Sequence, residues 1–556
     1  QQYLLRETTA PAGYDLAADT VFTYYDNQQT ENTPTVTVTV TDHRASFRVR
    51  KTDLSFNPIP GVTLGIYNGS DGSATQLTTV VSLGAETGNP EGWVTVYAEI
   101  GETDAAAHLV KGGTYYLHEE SAPKGYELNP DYIRFTFTEG GTATVTCKDT
   151  PLELTVSKYD ATGAHEVPGA YLVLTDNADS GTSVDEWWTT GTPHTVASEK
   201  LTAEHTYTLT ETTVPAGYLQ AQDVQFTIHA DGSITRIGTS GSVSGTTVTM
   251  DDTPTTVTFS KKYLTGEDEL PGAAMQLDDV TPDLGQVTSQ WTWTSGTTPH
   301  VITGELIAGH TFTLTETTAP YGYKIVQSVS FTLRADGTIE AYGTVPANAS
   351  VSGENGNVVT LRDEQLTLTV SKKILGDATG AELPGATLTL YDDTDAATVA
   401  TWTGTATPRT LTSSISLDGT GTEIGGVYYH LAADQLYPLI GGHGYTLTET
   451  GAPAGYLISN DVTFTLAADN TVTITSVNGE ADGTTVTMRD TPNTFLIYKV
   501  NDDETPAPLA GAHFALYRYE NGAIVTPAVA ADLVTNAAGT ATVNGLVNGQ
   551  QYLLRE

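Results

Sequence analysis

The chain has 556 residues, of which 66 are acidic and 24 basic, and its formal net charge is −42. So acidic a surface repels phosphate backbones and excludes nucleic acid as a partner. No apolar run is long enough for direct membrane insertion, and the single cysteine, Cys147, excludes an intrachain disulfide framework. The length indicates several domains, and the abundance of Gly, Thr, Val and Tyr favours short strands joined by turns.

Internal repetition is the strongest signal along the chain. The phrase ETTAPAGY returns four times with small changes, each time after a strand that carries an aromatic residue and a leucine on one face. In this loop Pro restricts the backbone and Gly permits an unusual turn. The glutamates that open the phrase are Glu7, Glu119, Glu211, Glu316 and Glu449, and Glu556 ends a further copy of the preceding strand.

Two other phrases bracket each unit. Strands of the LTVSK type end in Lys51, Lys158, Lys261, Lys372 and Lys499. Strands of the TVTMRD type end in Asp42, Asp149, Asp252, Asp363 and Asp490. Each of these lysines follows one of these aspartates by nine residues. Such constant spacing predicts a short, fixed junction between the last strand of one domain and the first strand of the next.

These landmarks divide the chain into domains. Four complete domains are predicted at 44–150, 151–253, 254–364 and 365–491, the last with an insertion near 411–440. The segments 1–43 and 492–556 are predicted to be the back and front parts of a fifth, split domain. The first seven residues recur as the last seven, at an offset equal to one set of five lysine intervals. Two interpretations stay open: an excerpt of a longer periodic chain, or subunits that complete each other's split domain in trans.

Strand alternation turns the repeated charged residues toward the predicted core. Lys158, for example, shares a face with Val156 and Leu154. Burying such groups as ions costs on the order of several kcal/mol each unless they are paired or neutralised. We expect burial to lower the proton affinity of the lysines and to raise that of the carboxyls, so that amine and acid can condense to an amide. The alternative is a buried salt-bridge triad without chemistry.

The phrases FSK or VSK, PGA, YTLTETTAPAGY and VTMxD resemble the collagen-adhesin B-type domains of Gram-positive surface proteins and pilins, over essentially the whole chain. The resemblance implies an all-β chain of tandem prealbumin-like or immunoglobulin-like β-sandwich domains in a linear rod. It also implies a spontaneous isopeptide bond between a first-strand lysine and a last-strand aspartate, assisted by the glutamate. The implied sets are Lys51–Asp149 with Glu119, Lys158–Asp252 with Glu211, Lys261–Asp363 with Glu316, Lys372–Asp490 with Glu449, and, in the split domain, Lys499 with Glu556 and Asp42 with Glu7.

The function implied by the resemblance is a structural stalk of an adhesin or pilus-like fibre, extracellular and anchored to the cell wall. The expected partners are neighbouring copies of the same repeat, in cis or in trans, and a host protein or glycan. The second interpretation is a ligand-binding adhesin region, with the insertion as its site. No enzyme with turnover and no cofactor is predicted. No metal site is predicted either, since the acidic loops at 175–181 and 391–395 lack the spacing of a calcium loop.

Overall fold

The computed structural model describes every residue except 12, 25–36, 72, 83, 85–89, 98–108, 111, 138–143, 163, 164, 180, 282–289, 354 and 355. The described part of the chain is built of β-strands, as the sequence predicts, with a short 3-10 helix at Ser198–Lys200. The chain separates into two compact units, Gln1–Thr255 and Thr256–Glu556. Among the described residues, no helix has the length and apolar character that crossing a membrane requires.

The first unit contains a terminal segment and two complete sandwiches. The terminal segment has the strands β1 (Gln2–Leu5), β2 (Tyr14–Asp15), β3 (Thr20–Thr23) and β4 (His43–Arg44). The first sandwich has β5 (Ser46–Asp53), β6 (Thr63–Tyr67), β7 (Gln76–Val81), β8 (Trp93–Tyr97), β9 (Thr114–Glu119), β10 (Ile133–Thr136) and β11 (Thr144–Asp149). The second has β12 (Leu154–Asp160), β13 (Tyr171–Asp176), β14 (Thr182–Trp188), β15 (His194–Val196), β16 (His205–Thr213), β17 (Val224–Ile228), β18 (Ile234–Ile237), β19 (Ser242–Ser244) and β20 (Thr247–Asp252).

The second unit contains two more complete sandwiches and a second terminal segment. The third sandwich has β21 (Thr256–Tyr263), β22 (Ala274–Asp279), β23 (Gln290–Thr294), β24 (His300–Thr303), β25 (Thr311–Thr318), β26 (Val329–Leu333), β27 (Ile339–Ala341), β28 (Ala349–Ser352) and β29 (Val358–Asp363). The fourth has β30 (Thr367–Ile374), β31 (Thr387–Asp392), β32 (Ala397–Thr403), β33 (Arg409–Ile415), β34 (Thr422–Ile424), β35 (Val427–Leu431), β36 (His443–Gly451), β37 (Val462–Leu466), β38 (Val472–Ile474), β39 (Gly479–Asp482) and β40 (Thr485–Asp490). The last segment has β41 (Thr494–Tyr498), β42 (His513–Glu520), β43 (Ala523–Val534), β44 (Thr540–Asn544) and β45 (Tyr552–Arg555).

In each complete sandwich the first and last strands are neighbours in one sheet. In the second sandwich the order of that sheet is β15-β12-β20-β19, and the other sheet has the order β14-β13-β16-β17-β18. β12 and β20 run parallel, with Lys158 opposite Met250 and Asp160 opposite Asp252. Because residues two apart on a strand share a face, Lys158 lies diagonal to Asp252 on the same face. The pairs β5–β11, β21–β29 and β30–β40 have the same parallel register.

The ETxAPxGY loop holds the junction that follows each complete sandwich. In the first sandwich Tyr126 N–H donates to the Pro123 carbonyl at 3.1 Å, which closes a β-turn with Gly125 at φ +90°. Only Gly adopts this backbone conformation readily, which explains its place in the phrase. Glu127 N–H then donates to the Thr150 carbonyl, and Leu152 N–H donates to the Gly125 carbonyl, both at 2.9 Å. The same two bonds recur in the other three sandwiches. They are Leu219 to Thr253 and Thr255 to Gly217 in the second, Lys324 to Glu364 and Leu366 to Gly322 in the third, and Leu457 to Thr491 and Asn493 to Gly455 in the fourth. The short segment between the last strand of one domain and the first strand of the next therefore pairs with the loop, which accounts for the constant length of that segment.

The insertion of the fourth sandwich extends the sheet that contains β30 and packs on the preceding domain. β33 pairs with β35, and β35 with β34. Ile415 and Tyr429 form an apolar cluster with Leu270 and Tyr323 of the third sandwich. Ile415 N–H donates to the Tyr323 hydroxyl at 3.2 Å, and Tyr323 is only 1% exposed. The insertion therefore connects two adjacent domains within the second unit.

Candidate cross-linking site

The predicted lysine, aspartate and glutamate meet in the core of all four complete sandwiches. Lysine Nζ contacts aspartate Oδ1 in the pairs Lys51–Asp149, Lys158–Asp252, Lys261–Asp363 and Lys372–Asp490. Glutamate Oε1 lies 2.9 Å from Nζ for Glu119 and Glu316, and 3.2 Å for Glu211 and Glu449. Each of these side chains is at most 3% exposed. The lysine and aspartate come from adjacent parallel strands, and the glutamate comes from the other sheet.

One oxygen of each glutamate is held by a backbone N–H ten residues further along the chain. Glu119 Oε2 accepts from Asn129 at 2.7 Å, Glu211 from Ala221 at 2.8 Å, Glu316 from Val326 at 2.8 Å, and Glu449 from Ser459 at 2.7 Å. In the first terminal segment Glu7 accepts from Ala17 at 2.7 Å. The bond fixes the carboxyl, so that its second oxygen is directed at the amine. The sequence gives no signal for this contact, because the donor is a backbone N–H and the residue that carries it differs from domain to domain.

The second oxygen of each aspartate lacks a proton donor: Asp149, Asp252, Asp363 and Asp490 have no hydrogen-bond partner at Oδ2. Glutamate Oε1 receives no hydrogen bond of good geometry either, and its contact with lysine Nζ is an ion pair. Burial raises the pKa of Asp149 to about 7, the pKa of Asp252 to about 6 and the pKa of Asp363 to about 8. Burial also raises the pKa of Glu449. A proton on one carboxyl of a site would supply the missing donor and remove a buried charge.

The expectation that burial deprotonates the lysines is wrong for Lys51. Burial acts to lower the pKa of Lys51, but the neighbouring Cys147, Asp149 and Glu119 raise it above its ordinary value. Lys51 Nζ lies 3.2 Å from Cys147 Sγ, and burial raises the pKa of that thiol to about 11. The raised pKa of Lys51 favours the ammonium, so a neutral amine requires that a proton pass to a carboxyl.

A second glutamate, which sequence analysis also missed, fixes the lysine strand in the second to fourth sandwiches. Glu166 accepts the backbone N–H of Lys158 at 3.0 Å, and Glu269 and Glu382 accept those of Lys261 and Lys372 at 2.9 Å. Each also contacts the hydroxyl of the preceding serine, at Ser157, Ser260 and Ser371. Their sequence signal is a glutamate two residues before the Pro-Gly of the hairpin. In the first sandwich Lys51 N–H donates instead to the Gly92 carbonyl at 2.8 Å.

The terminal segments hold partial versions of the site. Lys499 Nζ lies 2.7 Å from Glu556 Oε2, and the two side chains are 31% and 51% exposed. In the other segment, partial loss of hydration and the neighbouring Glu7 raise the pKa of Asp42. Each segment thus brings together two of the three predicted residue types, one with the lysine and one with the aspartate.

Two residues of one of the acidic loops belong to a cluster of side chains whose types can bind a metal ion. Asp392, Asp395 and His443 each offer one ligand-type atom, and these atoms lie within 4.8 Å of one another. Asp392 is hydrogen-bonded to His443 Nδ1 at 2.9 Å, and Asp395 accepts from the Tyr437 hydroxyl at 2.9 Å. Among the described residues, the same His–Asp bond occurs without a second acid at His205–Asp176 and His310–Asp279, at 2.8 and 2.7 Å, so we interpret it as structural. In the other loop, 175–181, residue 180 lies outside the described residues.

Tandem β-sandwiches, each with a buried Lys–Glu–Asp cluster between its two sheets, define a modular structural protein rather than an enzyme with turnover. The model of the SpaA prealbumin-like fold domain matches the chain five times, at residues 45–151, 152–241, 255–345, 367–480 and 493–556. The chain therefore belongs to the family of SpaA prealbumin-like fold domains. No curated protein matches it significantly.

Several solved structures are similar in fold. The pilus adhesin SpaC from Lactobacillus rhamnosus GG, in its open conformation, is 16% identical over 78% of this chain and 57% of its own, with a TM-score of 0.29. The Bacillus anthracis TIE protein is 17% identical over 63% of this chain and 54% of its own, with a TM-score of 0.26. The shaft pilin SpaA from L. rhamnosus GG is 21% identical over 38% of this chain and 97% of its own, with a TM-score of 0.18. The chain spans little more than half the length of the first two, and the likeness concerns the fold alone.

Proposed function

We propose that this chain is part of the structural stalk of a bacterial surface adhesin or pilus-like fibre, extracellular and attached to the cell wall. In this proposal each complete domain is locked by an isopeptide bond between its lysine and its aspartate. The observation that carries the proposal is the contact of a buried amine with a buried carboxyl in four of four complete sandwiches. As a permanent ion cluster this arrangement is costly, whereas condensation removes two of its charges.

The reaction needs only groups already in the site. The lysine ammonium passes a proton to a carboxylate, and the neutral Nζ forms a bond to Cγ of the protonated aspartate. The glutamate takes one proton from Nζ and gives one to the departing oxygen, whose bond to Cγ breaks. Ammonium and carboxylate thereby become a neutral amide and one water, and the glutamate ends as it began. Fixed contact between the reacting groups can supply roughly 7–11 kcal/mol toward such a step.

A bond at this position suits a stalk because it links the first and last strands of each domain. Pulling force then passes through the amide rather than through the hydrogen bonds between strands. Closing a loop of about 100 residues also stabilises a domain by roughly 4–5 kcal/mol, by the entropy model developed for disulfides. The paired junctions, such as Leu152 with Gly125, support the same role because they leave little free linker between adjacent domains.

The mass of the intact, denatured protein tests this proposal. With all four bonds formed, the mass is four waters below that calculated from the sequence. Glu316→Ala keeps Lys261 and Asp363 but removes the proton carrier, so we expect the deficit to fall to three waters. Glu267→Ala is the matched control, because Glu267 lies in the same domain with its side chain 79% exposed, and it should keep all four. A wild-type mass with no deficit would overturn the proposal.

We extend the proposal to the terminal segments, which carry complementary parts of one site and would be completed by neighbouring copies of the repeat, in cis or in trans. An open cavity of about 1220 Å³ is lined by the last segment, including Phe495, Leu516 and Tyr552, and by the loop of the fourth sandwich, including Tyr456 and Ile458. If copies complete each other in trans, Lys499 bonds to Asp42 of a second copy, and a denaturing gel shows a ladder that survives boiling. Lys499→Arg should abolish the ladder. A single wild-type band would eliminate assembly in trans.

Binding of a host protein or glycan is the alternative function, with the insertion as its candidate site. The contacts of the insertion favour the structural role instead, because Ile415 and Tyr429 pack against Tyr323 of the neighbouring domain. Adhesion assays with a chain lacking residues 411–440 would separate the two functions. Unchanged adhesion would eliminate the insertion as a binding site, and the structural role would be the one that remains.

A further inference from the structure

In the site of the fourth sandwich the lysine and the aspartate both contact a hydroxyl side chain, that of Ser459. Lys372 Nζ donates to Ser459 Oγ at 3.0 Å, and the same oxygen contacts Asp490 Oδ1. The backbone N–H of Ser459 donates to Glu449 Oε2 at 2.7 Å. A single residue therefore touches the amine, the acceptor carboxyl and the assisting glutamate.

The equivalent residues of the other sandwiches keep the backbone contact and differ in the side chain. The position ten residues after the glutamate is occupied by Asn129, Ala221 and Val326. Ala221 and Val326 carry no hydrogen-bonding group. The side-chain amide of Asn129 donates to the Lys148 carbonyl at 2.7 Å. Ser459 Oγ lies 2.8 Å from the corresponding carbonyl, that of Arg489, but also reaches both reacting groups.

We propose that Ser459 is a catalytic residue of the Lys372–Asp490 bond-forming reaction, an inference that rests on the proposed function. In the starting state its oxygen accepts an N–H of Lys372 and so orients the nitrogen lone pair toward Cγ of Asp490. When Nζ adds to Cγ, negative charge develops on the carboxyl oxygens, and the hydroxyl donates its hydrogen bond to Oδ1. The hydroxyl is not consumed: the amine and the acid still yield one amide and one water.

A purely structural serine would need only the carbonyl of Arg489, which corresponds to the Lys148 carbonyl that accepts from the amide of Asn129. The two roles therefore predict different results for Ser459→Asn. The asparagine can restore a bond to the carbonyl, but it has no hydroxyl to place between Lys372 and Asp490. Ser459→Thr keeps the hydroxyl, and Ser459→Ala copies the residue that the second sandwich carries at Ala221.

The experiment follows bond formation in the full chain during cell-free synthesis. Samples are denatured at intervals and digested, and the four cross-linked peptides are measured by mass spectrometry. We expect Ser459→Ala and Ser459→Asn to slow the appearance of the Lys372–Asp490 peptide by roughly tenfold or more. Ser459→Thr should restore the rate, and the other three peptides, formed in the same molecules, should be unaffected. The reciprocal change Ala221→Ser should accelerate the Lys158–Asp252 bond.

The outcomes separate this inference from the proposed function. If cross-linked peptides form in the wild type but Ser459→Ala leaves the rate unchanged, the role of Ser459 is overturned and the stalk proposal stands. A rate restored by Ser459→Asn would also overturn it, in favour of a structural role. If no cross-linked peptide forms in any domain of the wild type, the proposed function itself is overturned. If Ser459→Ala disturbs folding of the fourth sandwich, the reciprocal variant Ala221→Ser becomes the test. If Ala221→Ser does not accelerate formation of the Lys158–Asp252 bond, the inference is overturned.

Discussion

The enclosed sites and the terminal pair each contain a contact between a lysine and a glutamate, in different surroundings. Lys372 lies 3.2 Å from Glu449 with both side chains at most 3% exposed, whereas Lys499 lies 2.7 Å from Glu556 with exposures of 31% and 51%. The distance therefore does not distinguish the two cases. In water such an ion pair is stable but contributes little, whereas inside the sandwich the same charges are costly and burial raises the pKa of Glu449. The comparison teaches that enclosure by both sheets, rather than the motif alone, would make the site reactive.

Removing the lysine of an enclosed site should give the largest effect. We expect Lys261→Met to prevent the bond in the third sandwich and so to remove the roughly 4–5 kcal/mol attributed to loop closure. Hydrogen exchange in increasing urea, read from peptides of β21 and β29, measures the loss where it occurs. The strands of the second sandwich serve as the internal control. Unchanged protection of the third sandwich would mean that its two sheets do not depend on the lysine.

Enclosure also distinguishes the loop tyrosines, and removing an enclosed one should give the next largest effect. Tyr323 is 1% exposed beneath the insertion, whereas Tyr126, at the same place in its own loop, is only partly buried. We expect Tyr323→Ala to cost about 3 kcal/mol or more, since it leaves a cavity beside Ile415 and Leu270, and Tyr126→Ala to cost clearly less. Exchange protection of β33 and β35 should fall in Tyr323→Ala. Equal losses in the two variants would contradict a bracing role for the insertion.

The pH dependence of bond formation sharpens the comparison among the enclosed sites themselves. The carboxyls start from an ordinary pKa of 3.8, and burial raises the pKa to about 6 for Asp252, about 7 for Asp149 and about 8 for Asp363. Below its raised pKa each site holds an ammonium and a neutral acid, which is one proton more than the ammonium–carboxylate pair from which the reaction starts, and above it that extra proton is lost. Bond formation should therefore slow about tenfold per pH unit below these values and level off above them.

The same raised pKa values fix the order in which bond formation slows as the pH is lowered. The Lys261–Asp363 bond should slow first, then Lys51–Asp149, then Lys158–Asp252. Synthesis at several pH values between roughly 5.5 and 9, with the cross-linked peptides quantified, measures all three in one chain. Rates that decrease in every domain as the pH rises would show that the reaction needs the additional proton on the aspartate, and would contradict the ammonium–carboxylate starting state.

Local patterns were sufficient to predict from sequence which charged residues face the core, and the resemblance to the collagen-adhesin B-type domains implied how they pair. Strand alternation places Lys158 on the same face as Val156, which depends on residues two apart on one strand, and short-range spacing in a sequence reports that directly. The parallel register of β12 and β20 then brings Lys158 diagonal to Asp252. That register joins residues far apart in the chain, so alternation alone does not report it.

The contacts that sequence analysis missed depend on how distant segments meet. Ser459 reaches Lys372 only because the ETxAPxGY loop turns back across the end of the sandwich, and alternation within a strand cannot show that. The packing of Tyr429 near Tyr323 depends on the placement of two neighbouring domains. The rise in the pKa of Lys51 depends on Cys147, which occupies the opposite register position on the paired strand. Each requires a tertiary neighbour that the one-dimensional pattern does not specify.

Removing the exposed lysine should give the smallest effect, and it is the counterpart of the change at Lys261. Lys499→Met removes an ion pair that water already solvates, so we expect a change of at most about 1 kcal/mol, which high salt should reduce further. Exchange protection of β41 and β44 in a monomeric sample, at low and at high salt, measures it. A loss comparable to that of Lys261→Met would mean that the contact itself, and not its enclosure, sets the energetic importance of the lysine, and the distinction between the two regions would fail.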